Sequence, residues 1–354
     1  MIPTDCNSYY NSSNMKITKT IKTLIIGAAA FLSVLIGGIF AIRNQNLTIA
    51  QDTRIYIPRG ATFSDLTDSL TVHQCIRNKT IFQSISRLRG LTNHVKAGSY
   101  VFSPGTNVVQ VVQRLYSGNQ TPIKLTINKY RTPQQLSAFL GQKLEFNADT
   151  LLAMMMDETI CQTYGESTQT IISIFLQNTY EVYWTVTPKA LMDRMKRESD
   201  QFWSSRQSQL DKMKLSRQQV ITLASIVEEE TNCNEEKSDI ASVYLNRFRI
   251  GMPLQADPTI KFALGDFTIR RIWGAMLSID NPYNTYKYQG LPPGPICIPS
   301  TYSIDAVLKN KKTDYFFFCA KEDFNGRHNF SSTIAQHQAN AQKFHKALNE
   351  RNIK

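Results

Sequence analysis

The sequence lacks the short motifs that identify most nucleotide and metal sites. Its 354 residues contain no P-loop and no dinucleotide-binding fingerprint, and its six cysteines form no Cys-x-x-Cys pair. No histidine or cysteine cluster has the spacing of zinc ligands. The glutamates at positions 228, 230, 235 and 236 lack the Glu-x-x-His partners of di-iron bundles. We therefore expect neither a cofactor nor a bound metal.

Charge is absent from residues 23–42, a run long enough to cross a bilayer as a helix. Lys16, Lys19 and Lys22 precede the run and Arg43 alone follows it closely, so the positive-inside rule places the N-terminus in the cytoplasm and the rest outside. A cleaved signal peptide is the alternative. The run is long for a signal peptide and no convincing small-x-small cleavage site follows it. We expect a cytoplasmic tail at 1–22 and an uncleaved transmembrane anchor at 23–42.

The remaining composition is that of a globular protein, with 42% hydrophobic and 19% charged residues. A formal net charge of +12 and a pI near 9.4 indicate affinity for polyanions. Nucleic acid, an anionic membrane surface and an anionic wall polymer fit this charge equally well. Export past an anchor separates the chain from cytoplasmic nucleic acid, so we expect no nucleic-acid partner.

Short strand and helix patterns alternate after the anchor. Strand patterns at 54–60 and 95–102 and helix patterns at 65–70, 79–89 and 107–116 predict a small α/β module over residues 54–121. From residue 122 a mixture of helix and strand patterns continues to the C-terminus, ending in a hairpin and an amphipathic helix. The predicted fold class is α+β.

Residues 220–259 carry the most distinctive chemistry. At about 100° per residue, the helix that begins this stretch has a broad apolar arc, with Thr222, Ser225 and Glu229 on the opposite, solvent-facing side. Glu228 and Glu230 fall on the two flanks of the arc, and Glu230 continues an apolar stripe. A carboxyl group against apolar surface has a raised pKa and can serve as a general acid near neutral pH. An acidic helix end without catalytic function is the alternative.

Three sequence blocks resemble the signature of the YceG-like family of endolytic murein transglycosylases. They are ASIVEEET at 224–231, ASVYLNRFRIGMPLQADPTI at 241–260, and the pair YNTY and GLPPGPI between 283 and 296. Their order and spacing match the family from residue 55 to the C-terminus. The turn at 128–132 departs from the acidic, glycine-containing turn of the family, so we assign none of the family's contacts to this turn.

The resemblance implies cleavage of peptidoglycan between N-acetylmuramic acid and N-acetylglucosamine. A single glutamic acid would protonate the glycosidic oxygen and then accept the proton of the muramic C6 hydroxyl as this hydroxyl attacks C1. The product is a 1,6-anhydro ring, and no metal or cofactor is required. Related transglycosylases keep a hydroxyl residue after the catalytic glutamate, which favours Glu230, followed by Thr231, over Glu228.

The candidates for substrate contact come from the same blocks and from the predicted hairpin. Tyrosines and amides in the loop rich in proline and glycine suit sugar hydroxyls and N-acetyl groups. The residues are Asn246, Gln255, Asp257, Tyr283, Asn284, Tyr286 and His328. For Asp257 a helix-capping or loop-stabilising role is the alternative, and for His328 a purely structural role.

The complete expectation is a membrane-anchored α+β protein with a LysM-like module at 54–121 and a catalytic domain at 122–354. The family implies glycan contact by the module, and a spacer is the alternative. We expect a single-pass protein of the bacterial cell membrane whose catalytic domain lies on the outer, periplasmic side. Its partners would be peptidoglycan strands, the membrane and peptidoglycan synthases, whose nascent strands it would terminate. A non-catalytic wall-binding scaffold and a hydrolytic muramidase remain open.

Overall fold

The computed structural model describes residues 8–43 and 49–351. It divides the chain into two compact units, Met1–Pro122 and Ile123–Lys354, which we describe separately. Helix accounts for 53% of the residues and strand for 9%. The described strands pair two by two in antiparallel fashion. The predicted mixture of helix and sheet is therefore confirmed, with helix dominant.

The first unit begins with the long helix α1 (Ser8–Arg43). Its segment Ile21–Gly38 has a mean hydropathy of 2.0, and none of this segment is buried in the protein. Eighteen residues of α-helix span about 27 Å, close to the hydrocarbon thickness of a bilayer. By length and composition α1 can therefore cross a membrane. The first seven residues of the predicted tail lie outside the described part of the chain.

A small α/β layer completes the first unit. Its elements are β1 (Thr53–Ile57), α2 (Phe63–Val72), α3 (Lys79–Leu88), β2 (Gly98–Phe102) and α4 (Val108–Ser117). Strands β1 and β2 pair antiparallel with Ile55 opposite Tyr100, and both side chains are buried beneath the helices. Side chains of Thr62 and Asn107 form capping boxes that start α2 and α4. The strands and helices predicted here are confirmed, whereas the likeness to a LysM module stays a prediction.

The second unit contains two hydrophobic cores. The first is built by β3 (Ile123–Ile127), α5 (Pro133–Lys143), α6 (Ala148–Met155), α7 (Glu158–Thr163), β4 (Asn178–Val182) and α8 (Pro188–Ser204). Strand β3 pairs antiparallel with β4, and α5, α6 and α8 contribute apolar side chains to the same core.

The second core surrounds the helix that carries the three glutamates. The elements are α9 (Gln207–Met213), α10 (Arg217–Glu230), α11 (Lys237–Arg249), α12 (Asp257–Leu264), α13 (Thr301–Leu308), β5 (Phe317–Ala320), β6 (His328–Ser331) and α14 (Ile334–Glu350). Strands β5 and β6 form the predicted antiparallel hairpin.

The expected solvent face of α10 does not exist between positions 220 and 227. Thr222 and Ser225 are buried, as is every other residue of that segment. The hydroxyl of Ser225 donates to the carbonyl of Thr222, 2.7 Å away, and accepts the N–H of Ile296 at 3.0 Å. The prediction was wrong because these small polar groups are satisfied internally, which allows a neighbouring loop to cover the polar side of the helix.

That loop, residues 281–300, approaches the rest of the unit closely. The carbonyl of Ile298 accepts from the side-chain amide of Gln177 at 2.7 Å, and its N–H donates to the carbonyl of Tyr130 at 2.8 Å. A Cβ atom on Gly294 would overlap the carbonyl group of Gln169. Glycine is required at this position because backbone meets backbone there.

We predict that Gly294→Ala destabilises the protein by about 1–3 kcal/mol, since the added methyl group must displace backbone rather than a flexible side chain. Gly290→Ala is the comparison, because that glycine has a φ of +86° but open space around it, and we expect a cost of about 1 kcal/mol. Urea unfolding of the full chain in detergent measures both. Equal costs for the two variants would show that the close approach at Gly294 is unimportant.

Candidate active site

Helix α10 ends in three consecutive glutamates that have three different environments. Glu228 accepts hydrogen bonds from Lys237 Nζ at 2.9 Å, from Ser300 Oγ at 2.6 Å and from the hydroxyl of Ser303. The Lys237 side chain is only 5% exposed. Burial alone would raise the pKa of Glu228, but the bonds from Ser300, Ser303 and Lys237 hold this pKa below its usual value. Glu228 is therefore an ionised group with a structural counter-ion.

Glu229 is also paired, contrary to the expectation that it faces solvent. Arg131 binds it in a bidentate manner, with Nε 3.0 Å from Oε1 and Nη2 2.9 Å from Oε2. Lys129 Nζ lies 3.4 Å from Oε1, and the Glu229 side chain is 13% exposed. Both cations come from the turn at 128–132, to which the sequence analysis assigns no contact. The helical pattern could not show this pair, because its partners lie almost a hundred residues earlier in the sequence.

Glu230 differs from both neighbours because it forms no ion pair with a described residue. Its carboxyl group is partly buried at the end of α10, where the hydroxyl of Tyr244 donates to Oε1 at 2.5 Å. Burial raises the pKa of Glu230 to about 7, although the Tyr244 hydrogen bond opposes this rise. The nearby charge of Asp257 adds to the rise. This carboxyl group can hold a proton at neutral pH and release it again.

Helix α11 holds Tyr244 and Arg247 on one face, as their spacing of three residues requires. The guanidinium of Arg247 donates to the carbonyl of Phe316 from Nε and to that of Leu254 from Nη1, both at 2.7 Å. Arg247 therefore fastens the start of β5 and the loop before α12 to the helix that orients Tyr244.

The loop before α12 brings two further candidates to Glu230. Gln255 has a φ of +54°, and its N–H donates to the carbonyl of Thr285 at 3.1 Å. The hydroxyl of Tyr286 donates to Oδ1 of Asp257 at 2.5 Å. A non-glycine residue in the left-handed region is strained unless its surroundings impose that conformation. Here the pairing of the two loops imposes it and presents Gln255, Asp257 and Tyr286 together.

Two cavities meet at Glu230, and it is the residue that lines both of them. We call the first, of about 270 Å³, the inner cavity; it is lined by Glu230, Tyr244, Arg247, Leu254, Gln255, Asp257, Tyr286, Phe318 and His337. We call the second, of about 470 Å³, the hairpin cavity; it is lined by Glu230, Thr231, Asn232, Cys233, Ala320, Lys321, Phe324, Asn325, Gly326, Arg327, His328 and Phe344. A separate cavity of about 720 Å³ is lined by residues of α9 and α13 and contains none of the predicted site residues.

The two cavities follow one another along β5 and α14. Phe318 of β5 lines the inner cavity and Ala320, two residues on, lines the hairpin cavity. On α14, His337 lines the inner cavity and Phe344, seven residues on, lines the hairpin cavity. Two strand residues advance about 7 Å and seven helical residues about 10 Å. Glu230 lines both cavities, which therefore adjoin one another at this residue. We call the two cavities together the cleft, and their arrangement suits an extended polymer.

Four predicted contact residues line this cleft, namely Gln255, Asp257, Tyr286 and His328. The backbone N–H of His328 donates to Oε1 of Glu236 at 3.0 Å, and its Nδ1 lies 2.9 Å from Oε2 of the same carboxylate. Glu236 thereby fixes the position of the ring at the wall of the hairpin cavity.

The structure places the other three predicted contacts away from the cleft. Asn284 is fully buried, and its side-chain amide donates to the carbonyls of Leu277 and Ile279 at 3.0 and 2.8 Å. Asn246 donates to the carbonyls of Thr313 and Tyr315 at 3.0 and 2.9 Å. Both amides are occupied in holding backbone carbonyls, and neither residue lines the cleft.

Tyr283 packs against the second core, with its ring centroid 4.6 Å from that of Phe262. Burial raises the pKa of its hydroxyl to about 12. It lines neither the inner nor the hairpin cavity. The sequence reasoning assigned it to the substrate because its chemistry suits sugars, but a tyrosine ring also suits a core.

Sequence reasoning missed Tyr244, Arg247, Phe318 and His337 as residues of the cleft. Tyr244 recurs with Ile240 and Phe248 at helical spacing, a pattern typical of a core position, and its ring does lie in the core. A buried tyrosine hydroxyl needs a hydrogen-bond partner, and this was the available signal. The Nδ1 atom of His337 is buried and has no hydrogen-bond partner among the described residues. Burial lowers the pKa of His337, so this ring is neutral at pH 7.

The fold and this cleft define a class of protein: an α+β protein with a carboxyl group of raised pKa at the junction of two cavities. The YceG-like family model matches residues 55–343, and the chain belongs to the YceG-like family. The resemblance seen in the sequence is thereby confirmed.

Relatives of known name and structure agree with this assignment. The chain is 30% identical to an endolytic murein transglycosylase of Bacillus subtilis over 339 residues, which cover 90% of this chain and 93% of that one. It is 27% identical to an endolytic murein transglycosylase of Streptococcus pneumoniae strain D39, with 85% of this chain and 61% of the relative covered. A crystal structure of a YceG-like protein from Listeria monocytogenes matches with a TM-score of 0.56 and 29% identity, covering 82% of this chain and 99% of that one.

We predict that Glu230→Gln stabilises the folded protein at pH 8 but not at pH 4. The wild-type carboxyl group has a pKa of about 7 when folded, against an ordinary value of 4.5. As pH rises through this window the unfolded chain loses its proton first, so wild-type stability falls, whereas glutamine does not titrate and still accepts from Tyr244. The difference should reach about 3 kcal/mol.

Urea unfolding of the full chain in detergent at several pH values measures this difference. Glu235→Gln is the matched control, because Glu235 is exposed and its hydrogen bond with the Cys233 thiol holds its pKa below the ordinary value, so this variant should gain no stability at pH 8. A stability gain for Glu230→Gln that is the same at pH 4 and pH 8 would contradict the assignment of a raised pKa.

Proposed function

We propose that this protein is an endolytic peptidoglycan lytic transglycosylase in which Glu230 is both general acid and general base. The observation that carries the proposal is a carboxyl group with a pKa of about 7, without a cationic partner among the described residues, at the junction of two cavities. Membership of the family and the names of the curated relatives support the reaction class.

The chemistry needs one carboxyl group and no water. Protonated Glu230 donates its proton to the oxygen between muramic C1 and N-acetylglucosamine, and the C1–O bond breaks. The C6 hydroxyl of the same muramic acid then attacks C1, and its proton passes to the Glu230 carboxylate. The proton balance closes, and the strand ends in 1,6-anhydromuramic acid. A pKa near the working pH serves both half-reactions.

Tyr244 would orient the carboxyl group of Glu230 and adjust its pKa for this reaction. Its hydroxyl donates to Oε1, which leaves Oε2 to hold the transferable proton. The same hydrogen bond stabilises the carboxylate formed after the first half-reaction and so keeps the pKa from rising further. Tyr244 is thus a positioning residue that adjusts the pKa of the acid.

A hydrolytic muramidase is the second candidate, and Asp257 is the observation that favours it. This second carboxylate lines the inner cavity together with Glu230. Two carboxylates on either side of a glycosidic bond allow a water molecule to attack C1. The bond from Tyr286 occupies one oxygen of Asp257 and leaves the other available. The chemical form of the new strand end distinguishes the two reactions.

The same proposal includes a location for the enzyme. Helix α1 would anchor it in the bacterial cell membrane with the N-terminus in the cytoplasm, as Lys16, Lys19 and Lys22 favour. The catalytic domain, residues 122–354, would then act on the outer face, beyond a LysM-like module at 54–121. Cleavage close to the membrane would reach strands still held by synthases and so terminate their elongation.

We predict that the wild-type protein releases internal glycan fragments with anhydromuramic ends, and that Glu230→Gln reduces this rate by at least about a thousandfold, since general acid–base catalysis is lost at both steps. Mass spectrometry of purified glycan strands after incubation with the full chain in detergent identifies the ends.

Glu228→Gln alone is a poor control because it leaves Lys237 buried without its counter-ion. The double variant Glu228→Gln/Lys237→Gln removes both charges, and we expect it to keep measurable cleavage. An active Glu230→Gln protein beside an inactive, folded double variant would reverse the assignment to Glu228. Reducing ends would identify a muramidase, and binding without any cleavage would identify a scaffold.

We predict that Tyr244→Phe moves the alkaline limb of the pH–rate profile to higher pH. The lost hydrogen bond stabilised the carboxylate, so the pKa of Glu230 should rise above about 7, by roughly one unit for a single charge-assisted hydrogen bond. The measurement is kcat/KM for strand cleavage against pH. A variant that loses rate equally at every pH would indicate that Tyr244 only supports the fold.

A further inference from the structure

The two cavities that meet at Glu230 carry different charge. Lys321 and Arg327 line the hairpin cavity, and the N–H of Lys321 donates to the carbonyl of Arg327 at 2.9 Å. The hairpin thus holds the two residues side by side at the rim. Neither side-chain cation forms a hydrogen bond or ion pair with the part of the chain that the structure describes.

Acidic groups near the hairpin are directed elsewhere. Glu322 accepts from the side chain of Asn329 at 2.9 Å and forms no ion pair with Lys321, although the charge of Lys321 helps to lower its pKa. Asp323 accepts from the side chain of Asn325 at 2.9 Å. The charge of Arg327 helps to lower the pKa of Glu235, but Oε2 of Glu235 accepts a hydrogen bond from the thiol of Cys233. Apart from Glu230 itself, none of the residues that line the hairpin cavity is acidic.

The inner cavity carries charges of both signs. Asp257 lines it together with one cation, Arg247, whose guanidinium donates to backbone carbonyls. Its volume is also smaller, about 270 Å³ against about 470 Å³. A neutral sugar suits such a site, because the charges of Asp257 and Arg247 offset one another and leave no excess cation for an anionic substituent.

The rim of the hairpin cavity is open to solvent. Asn325, Gly326 and Arg327 are exposed, while the rings of Phe324 and Phe344, 5.6 Å apart, form an apolar wall beneath them. A bulky, branched group can therefore leave the cleft over the hairpin turn, past Arg327.

The two sugars of peptidoglycan differ in charge and bulk, because muramic acid carries a peptide stem with carboxylates and N-acetylglucosamine is neutral. We propose that the hairpin cavity binds the muramic acid whose C1 is attacked, and that Lys321 and Arg327 bind carboxylates of its peptide stem. The neutral N-acetylglucosamine leaving group then occupies the inner cavity. This inference rests on the proposed function and adds to it the direction of the strand and a preference for strands that carry peptides.

The test compares two substrates that share a glycan backbone: strands with intact peptide stems and the same strands after an amidase has removed the stems. The full chain in detergent is assayed as wild type, as Lys321→Gln/Arg327→Gln, and as Lys212→Gln/Lys309→Gln. The last pair carries the same change of charge in the separate cavity of α9 and α13. The readout is kcat and KM for each substrate.

We expect the wild type to prefer peptide-bearing strands, and Lys321→Gln/Arg327→Gln to lose about fivefold or more in kcat/KM on them, chiefly through KM. On stripped strands the same variant should change less than about twofold, and the control variant should match the wild type on both substrates. Raising the ionic strength should weaken the wild-type preference, because the cations are exposed.

Equal losses on both substrates would overturn the inference, since the cations would then act on the glycan or on the fold. A wild type that cleaves both substrates equally well would also overturn it. A wild type that cleaves neither would instead contradict the proposed function, so the two failures are distinguishable.

Discussion

The active cleft depends on one constraint, the burial of the Glu230 carboxyl group with a hydroxyl partner instead of a cationic one. A lysine or arginine in the place of Tyr244 would favour the carboxylate, whereas at Glu228 two serine hydroxyls and Lys237 together hold the pKa below its usual value. The tyrosine hydroxyl accommodates both protonation states, because it can donate to a carboxylate and can also remain bonded to the neutral acid. In the described part of the chain, Glu228 and Glu229 thus have cationic partners, whereas Glu230 has none.

The position of this carboxyl group on its helix reinforces the effect. Glu230 is the last residue of α10, and no basic residue lies in the final turn. The negative end of the helix dipole disfavours a carboxylate there. Three adjacent charges at this end would also repel one another, so the pairs of Glu228 with Lys237 and of Glu229 with Arg131 are what make the helix end tolerable. Glu230, the glutamate of the three without such a pair among the described residues, has its pKa raised by burial.

Much of this arrangement was predictable from sequence, and the failures share a physical cause. The helices and strands followed from local patterns, and Glu230 stood out because it extends an apolar stripe. Local patterns do not show what packs on the polar side of a helix, so Thr222, Ser225 and Glu229 were expected in solvent. Asn284 was assigned to a sugar because an amide suits one, and Asn246 because it lies in a block that resembles the family. The structure gives these amides irregular backbone to satisfy, a demand that becomes visible only once the loops are folded.

The C-terminal hairpin connects Tyr244 with the rim of the hairpin cavity. Phe318 of β5 contacts the ring of Tyr244 edge-on, with ring centroids 5.8 Å apart, and the ring of His328, with centroids 5.4 Å apart. The same strand leads directly into Lys321 at the rim of the hairpin cavity. The orientation of the hydroxyl bonded to Glu230 and the position of the cations that would hold a peptide stem therefore depend on the same hairpin. A displaced hairpin would disturb both at once, so in the proposed reaction stem binding and proton transfer by Glu230 would be weakened together.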